Sequence, residues 1–301
     1  MARRRKGRRV DGWLVVDKPL GASSAAIVNK ARWALEAQKA GHSGTLDPLA
    51  SGCLAIAFGE ATKVIPIAQE GAKRYRFTVR WGARTTTDDL EGEVIARSDL
   101  RPSDREIASI LPGFLGEIDQ VPPQFSAIKV DGARAYALAR DGAEVALAAR
   151  PIRVDRLEVI PPVTRDACDF EMICGKGGYV RSVARDLGEA LGCHGHVSAL
   201  RRLSTGPFDV AHAIGAAALE GLRGNGPPPQ FLPLEAGLRD LPRLDCTAGA
   251  AEDLRQGRAI ALTGGEGPVW VACQGRAVAL GQMETGIFRP SRVFAPAETP
   301  E

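Results

Sequence analysis

Residues 73–81, Lys-Arg-Tyr-Arg-Phe-Thr-Val-Arg-Trp, alternate between apolar and polar side chains without a break. A strict period of two is satisfied by a β-strand with one face on a core and the other in water. Tyr75, Phe77, Val79 and Trp81 share the inner face, while Arg74, Arg76, Thr78 and Arg80 share the outer one. The chain is therefore committed to a sheet in which one strand is strongly basic on its open side. Arginines placed in this way either pair with acids or meet phosphates.

Other segments fit around that strand. Trp13–Val16 reads as a strand that ends at Asp17-Lys18-Pro19, where the proline and Gly21 turn the chain. Ser23 or Ser24 caps a helix reaching about Gln38, with Ile27, Val28, Ala31, Ala34 and Leu35 at helical spacing. Cys53–Phe58 is a buried strand, and Ser103 with Glu106 forms a capping box for a helix to about Leu111. Ile152–Ile160 and Cys168–Cys174 are strands, followed by a helix from Val180 to Leu191. Val121 to Arg153, rich in proline, glycine and basic residues, reads as a long excursion with a short helical piece at Ala135–Arg140. Gly-Asn-Gly-Pro-Pro-Pro at 224–229 and Pro242 mark a boundary. The short segment beyond is too small to be comfortably stable alone, so it should dock on the main body.

Composition narrows the class. With 301 residues, 45% hydrophobic and 25% charged, the chain has the balance of a soluble globular protein. No apolar run reaches membrane-spanning length and no signal-peptide core follows the N-terminus, so a cytoplasmic protein is expected. Arg3, Arg4, Arg5, Lys6, Arg8 and Arg9 crowd the first nine residues; without them the +3 of the whole chain becomes −3. Such a tail serves equally as a solubilising arm or as a means of steering towards a polyanion. Six cysteines form no Cys-x-x-Cys pair, and reduced thiols are expected. Cys193-His194-Gly195-His196 lacks a fourth ligand nearby, so it reads as packing rather than as a zinc site.

One loop stands apart. Gly41, Gly44 and Gly52 surround Asp47, and Pro48 biases that aspartate towards extended backbone. A carboxylate here either bonds local amides or serves a functional loop, and composition and spacing leave both open. No second acid is near enough to suggest a paired-carboxylate hydrolase.

The run Gly41-His42-Ser43-Gly44-Thr45-Leu46-Asp47-Pro48-Leu49-Ala50-Ser51-Gly52-Cys53-Leu54 resembles the active-site signature of the TruB family of tRNA pseudouridine synthases. Further blocks resemble the family in order: Asp17-Lys18-Pro19 with Gly21, Lys73-Arg74-Tyr75, and Arg84 to Asp89. Gln120 to Tyr136, Gly178-Tyr179-Val180-Arg181 and Leu200-Arg201-Arg202 complete the series. The likeness covers roughly residues 12 to 240. It departs at Ser43, where many members carry glycine and where the backbone angles must be tolerated, and in the variable stretch at 193–196.

The resemblance implies an α/β fold of the α+β type, the pseudouridine synthase fold: a mixed, mostly antiparallel curved sheet with flanking helices and a central cleft. It implies a basic tail over 1–10, a catalytic domain over 11–240 with an RNA-binding insertion at about 124–153, and a PUA-like domain over 241–301. The implied reaction converts uridine 55 of the tRNA T loop to pseudouridine, without metal or cofactor. Asp47 matches the catalytic aspartate and Arg181 the arginine that pairs with it. Tyr75 matches the tyrosine that stacks on the target base, although periodicity alone assigns it to the core beside Phe77. Lys18, Tyr179 and Leu200 fall on active-site positions, His42 on the residue that fills the space left by flipped nucleotides, and Lys129 in the RNA-gripping insertion. A monomer that needs only the T stem-loop of tRNA and no protein partner is expected. Two alternatives stand beside it: a non-catalytic tRNA-binding or folding protein, and a guide-RNA-dependent synthase subunit.

Overall fold

The computed structural model describes residues 7–126 and 147–296, together with the backbone of 129–130 and 133–134. The helical piece expected at Ala135–Arg140, the side chains of Lys129 and Arg134, and tail residues 1–6 lie outside the described residues.

Along the chain the elements follow the local signals closely. Strand β1 spans Gly12–Lys18, and helix α1 (Ser24–Ala34) is capped by Ser23, whose Oγ accepts the Ala26 amide. The helix stops short of Gln38 because Glu36 adopts φ 52° and the next residues turn to meet the N-terminal arm. There Arg8 N–H donates to the Glu36 carbonyl at 2.7 Å, and Gln38 N–H donates to the Arg8 carbonyl at 3.1 Å. Next come β2 (Ala40–His42), β3 (Ala50–Phe58), β4 (Lys73–Trp81), and the ribbon β5 (Ala83–Thr85) and β6 (Val94–Arg97). Helix α2 (Asp104–Ile110) carries the expected reciprocal capping box. Strand β7 (Gly116–Gln120) and the short β8 (Lys129–Val130) and β9 (Ala133–Arg134) precede β10 (Arg150–Ile160) and β11 (Ala167–Cys174). Helix α3 (Val180–Ala190), β12 (Gly195–Thr205), β13 (Phe208–Asp209) and β14 (Ile214–Gly215) follow. The C-terminal segment holds β15 (Arg243–Asp245), α4 (Ala248–Arg255), β16 (Ile260–Ala261), β17 (Gly267–Cys273), β18 (Arg276–Glu284) and β19 (Ile287–Val293).

Two compact units result. The first comprises Met1–Pro48, Gly52–Gly71 and Thr205–Glu301; the second comprises Leu49–Ser51 and Ala72–Ser204. In the first, β1 lies between antiparallel β3 and parallel β14, and β2 adds to β3. Its C-terminal five-stranded sheet runs in the order β15-β17-β18-β19-β16. The small C-terminal segment does dock: Trp270, Leu280 and Phe294 share one apolar cluster with Trp13, Phe208 and Leu238.

In the second unit the strand order is β12-β4-β11-β10-β7. Alternation along β4 is realised: Phe77, Val79 and Trp81 are buried, and Phe77 stacks on Phe170 of β11 at 5.4 Å. On the basic face, Arg76 sits opposite Glu171 in the register. Helix α3 packs Val183, Ala184 and Leu187 into the same core. It approaches β12 through glycine, since a Cβ at Gly188 would overlap the Gly195 amide nitrogen.

Candidate active site

Three of the residues singled out by sequence lie in the first unit. The Asp47 loop is held by side chains from the β1–α1 turn. Ser24 Oγ donates to the Leu46 carbonyl at 2.9 Å and accepts the Leu46 amide at 2.8 Å. Gly21 N–H donates to the Pro48 carbonyl at 2.8 Å, so both neighbours of Asp47 are fixed. Lys18, at the end of β1 and opposite Gly52, is fully buried. Its ammonium donates to the carbonyls of Ala22 at 2.6 Å, Pro19 at 3.0 Å and Pro48 at 3.4 Å. A buried cation must be compensated, and here backbone oxygens on either side of the loop contribute to that. Lys18 is therefore not the surface lysine that composition alone would allow. Asp47 itself is half-buried.

His42 ends β2 opposite Ile56, and its Nδ1 accepts the Gly44 amide at 3.3 Å. Ser43 is buried, and its backbone stays out of the positive-φ region, so a serine is tolerated without left-handed strain.

Tyr75, Tyr179, Arg181 and Leu200 lie in the second unit. Tyr75 shares the apolar face of β4, yet it is only half-buried where Phe77 is sealed. Its ring packs against the edge of that core without being enclosed by it. Leu200 on β12 is likewise half-buried against the same cluster. Tyr179 caps α3, and Gln120 brackets its backbone: Tyr179 N–H donates to Gln120 Oε1 at 2.9 Å, and Gln120 Nε2 donates to the Tyr179 carbonyl at 3.1 Å.

Arg181 follows in the first turn of α3 and is 6% exposed, far from a solvated helix-end arginine. Nη1 donates to the Thr87 carbonyl at 3.1 Å and lies 3.6 Å from Asp89 Oδ2, while Nη2 donates to the Phe125 carbonyl at 2.9 Å. A planar guanidinium bonded on several edges keeps one orientation. Asp89, Thr87 and Gln120 were not assigned roles from sequence. Two neighbouring aspartates upstream of a helix with arginines four residues apart were the available signal.

Asp88 also faces this helix, and Asp186 lies on it beside Arg185. Burial pushes the Asp88 carboxyl up to about 6, against the pull of Arg185, Arg84 and Arg181. Asp186 is raised too, chiefly by burial and against Arg185. At 193–196, Cys193 is sealed in the core, and His196 Nδ1 lies 3.0 Å from the Ala83 carbonyl, so packing and a local bond place both side chains.

Comparison with known proteins identifies the family and the fold. Residues 32–180 match the model of the TruB family pseudouridylate synthase N-terminal domain, and residues 181–227 match the tRNA pseudouridylate synthase B C-terminal domain. A tRNA pseudouridine synthase B of Ruegeria pomeroyi is 55% identical over 99% of this chain and 100% of its own. One from Cereibacter sphaeroides is 55% identical over 98% and 99% respectively. Among solved structures, a Cbf5–Nop10–Gar1 complex contains a chain with TM-score 0.74 and 25% identity, covering 95% of this chain and 85% of that one. An H/ACA ribonucleoprotein bound to a substrate RNA containing 2′-deoxyuridine gives TM-score 0.73 at 22% identity, over 99% and 92%. The architecture is the mixed α/β fold of the pseudouridine synthases, and by kinship along its whole length this chain belongs to the TruB family of pseudouridylate synthases.

Proposed function

We propose that this protein isomerises uridine 55 in the T loop of tRNA to pseudouridine. The observation that carries the reading is its 55% identity, end to end, with proteins named tRNA pseudouridine synthase B. In the reaction the N1–C1′ glycosidic bond breaks, the uracil turns, and a C5–C1′ bond forms while a proton moves from C5 to N1. Atoms balance within the substrate, so neither metal nor cofactor enters the proposal.

Asp47 is the catalytic carboxylate of this reading. It sits on a loop whose two flanking peptides are tied down, which limits the motion of its backbone. Arg181 is the cation that favours the ionised carboxylate during the reaction. Tyr75 stacks on the flipped base, returning about 1–3 kcal/mol of the few kcal/mol spent on extrusion. Tyr179 and Leu200 line the base, Lys18 keeps the aspartate loop in place, and His42 occupies the space vacated by flipped nucleotides. Lys129 in the insertion at 124–153 meets the RNA backbone.

The tail over 1–10 and a PUA-like domain over 241–301 complete the chain around the catalytic domain of 11–240. It acts as a monomer on the T stem-loop, in the cytoplasm where tRNA matures. No helix among the described residues is long and apolar enough to cross a membrane.

The test is site-resolved mapping of pseudouridine on an unmodified tRNA transcript and on one with cytidine at position 55. No metal, nucleotide or guide RNA is added. Conversion at uridine 55 alone, and nowhere in the substituted transcript, is expected. No conversion of a folded transcript would overturn the reading in favour of a guide-dependent or binding-only protein.

A further inference from the structure

Helix α3 carries a second arginine one turn beyond Arg181, and it is equally enclosed. Arg185 is 8% exposed. Its guanidinium divides three ways: Nε donates to Asp186 Oδ1 at 2.8 Å, Nη1 to Asp88 Oδ2 at 3.2 Å, and Nη2 to the Val121 carbonyl at 2.8 Å. Arg181 repeats the pattern four residues earlier, with Asp89, Thr87 and Phe125. Residues four apart share one helix face, so two arginines reach the same turn and the same 121–125 segment. Ser182 Oγ adds a bond to the Val121 carbonyl at 2.8 Å.

Two adjacent aspartates serve both arginines because the backbone turns between them. Asp88 adopts φ 59°, a left-handed conformation that aspartate accepts more readily than most side chains. The Asp88 amide donates to the Thr85 carbonyl at 3.3 Å, and its carbonyl accepts the Val197 amide at 3.0 Å. Backbone bonds thus tie the turn to β12, and side chains tie it to α3. A cavity of about 630 Å³ opens beside the pair, lined in part by Arg84, Asp88, Val121, Arg185 and Glu189, and gives water access to it.

A buried ion pair rarely adds net stability over an apolar pair of similar volume, whereas loss of one partner strands a charge. Stability is therefore a weak reason for Asp88 and Arg185 to be present. We infer that Asp88 and Arg185 are a positioning pair for the proposed reaction. They clamp the 85–89 turn and the 120–126 segment on α3, so that Arg181, which is bonded to both, keeps a single orientation. The inference rests on the assignment of Arg181 to that reaction.

The charged groups facing Asp88 are Arg185, Arg84, Arg181 and Asp186, with Asp89 adjacent in the chain and Glu189 paired to Arg84 at 3.0 Å. With its carboxyl held at about 6, Asp88 is largely ionised at pH 7.5 and protonates just below neutrality. The negative charge that orients the Arg185 fork is then lost as pH falls through that value, while burial of the carboxyl itself becomes less costly.

The test uses the full chain with Arg185→Met, Arg185→Lys, Asp88→Asn and the double variant Asp88→Asn with Arg185→Met. Read together are the rate constant at saturating tRNA transcript, the transcript Kd, and the melting temperature. Arg185→Met should lower both the rate and the melting temperature. The double variant should regain much of the melting temperature yet stay about 10- to 100-fold slow, with Kd changed less than about threefold. Arg185→Lys keeps the charge but not the three-way fork, and should be intermediate in rate. The wild-type rate should decline as pH drops from 7 to 5.5, with a limb near 6 that Asp88→Asn removes. A double variant that recovers its rate along with its stability would overturn the positioning role while the functional reading stands. A wild-type protein inactive on the transcript would overturn both.

Discussion

Ser24 serves as both donor and acceptor to the Leu46 peptide, one residue before Asp47. Replacing it with alanine leaves two buried backbone groups unpaired, at about 1–3 kcal/mol in thermal or urea unfolding. The rate at saturating tRNA should fall as well, because the aspartate loop loses its anchor. A variant with normal stability and normal rate would show that the loop holds itself. Asp88 makes a prediction of the opposite sign to ordinary acid denaturation. Its folded value of about 6 exceeds the usual 3.8, so between those values the folded state binds a proton that the unfolded chain does not. This group therefore makes the fold more stable as pH falls from about 6 towards 4. Comparing wild type with Asp88→Asn over that window should show wild type gaining stability relative to the variant as pH drops from about 6 to 4, and a pH-independent difference would contradict the raised value. Asp47 was legible because its signature is contiguous. The pairs Asp88–Arg185 and Asp89–Arg181 were not, since the partners lie more than ninety residues apart and burial is decided by what packs over them.

At the scale of elements, β4 was legible end to end because its alternation is the physical requirement of a half-buried strand. Helix α1 was overextended: its apolar spacing continues to Leu35, but the left-handed turn at Glu36 and the pairing of Gln38 with Arg8 end it. Strand β12 went unassigned, although it sits beside β4. It carries His196, Arg201 and Arg202 where a strand pattern wants apolar residues, and only tertiary packing buries Arg202 and His196. The same strand explains why α3 needs glycine at position 188. Gly188→Ala would force a methyl group onto the Gly195 backbone, and should cost about 1–3 kcal/mol by overpacking. Chemical denaturation would register this as a lower midpoint with an unchanged slope. An unaffected midpoint would mean that the helix slides without penalty.

For the whole molecule, charge is concentrated at the N-terminus while the main body is slightly acidic. Arg8 is tied to the Glu36–Gln38 turn by its backbone, and Arg9 is paired with Asp11 at 2.7 Å, so both belong to the folded unit. Arg3, Arg4, Arg5 and Lys6 precede that anchor. Deleting residues 2–6 should weaken tRNA binding at low salt, reduce the salt dependence of Kd, and matter little at high salt. An equal loss at every salt concentration would contradict electrostatic steering. The docking of the C-terminal segment was foreseeable from its size; its strand order was not, because short strands carry too little pattern to fix their neighbours. The most direct measurement compares wild type with Asp47→Asn on the same unmodified transcript, reading pseudouridine at position 55 and tRNA affinity in parallel. If Asp47 is the catalytic carboxylate, the variant binds tRNA with nearly wild-type affinity and forms no pseudouridine. Turnover by Asp47→Asn at the wild-type rate would contradict it.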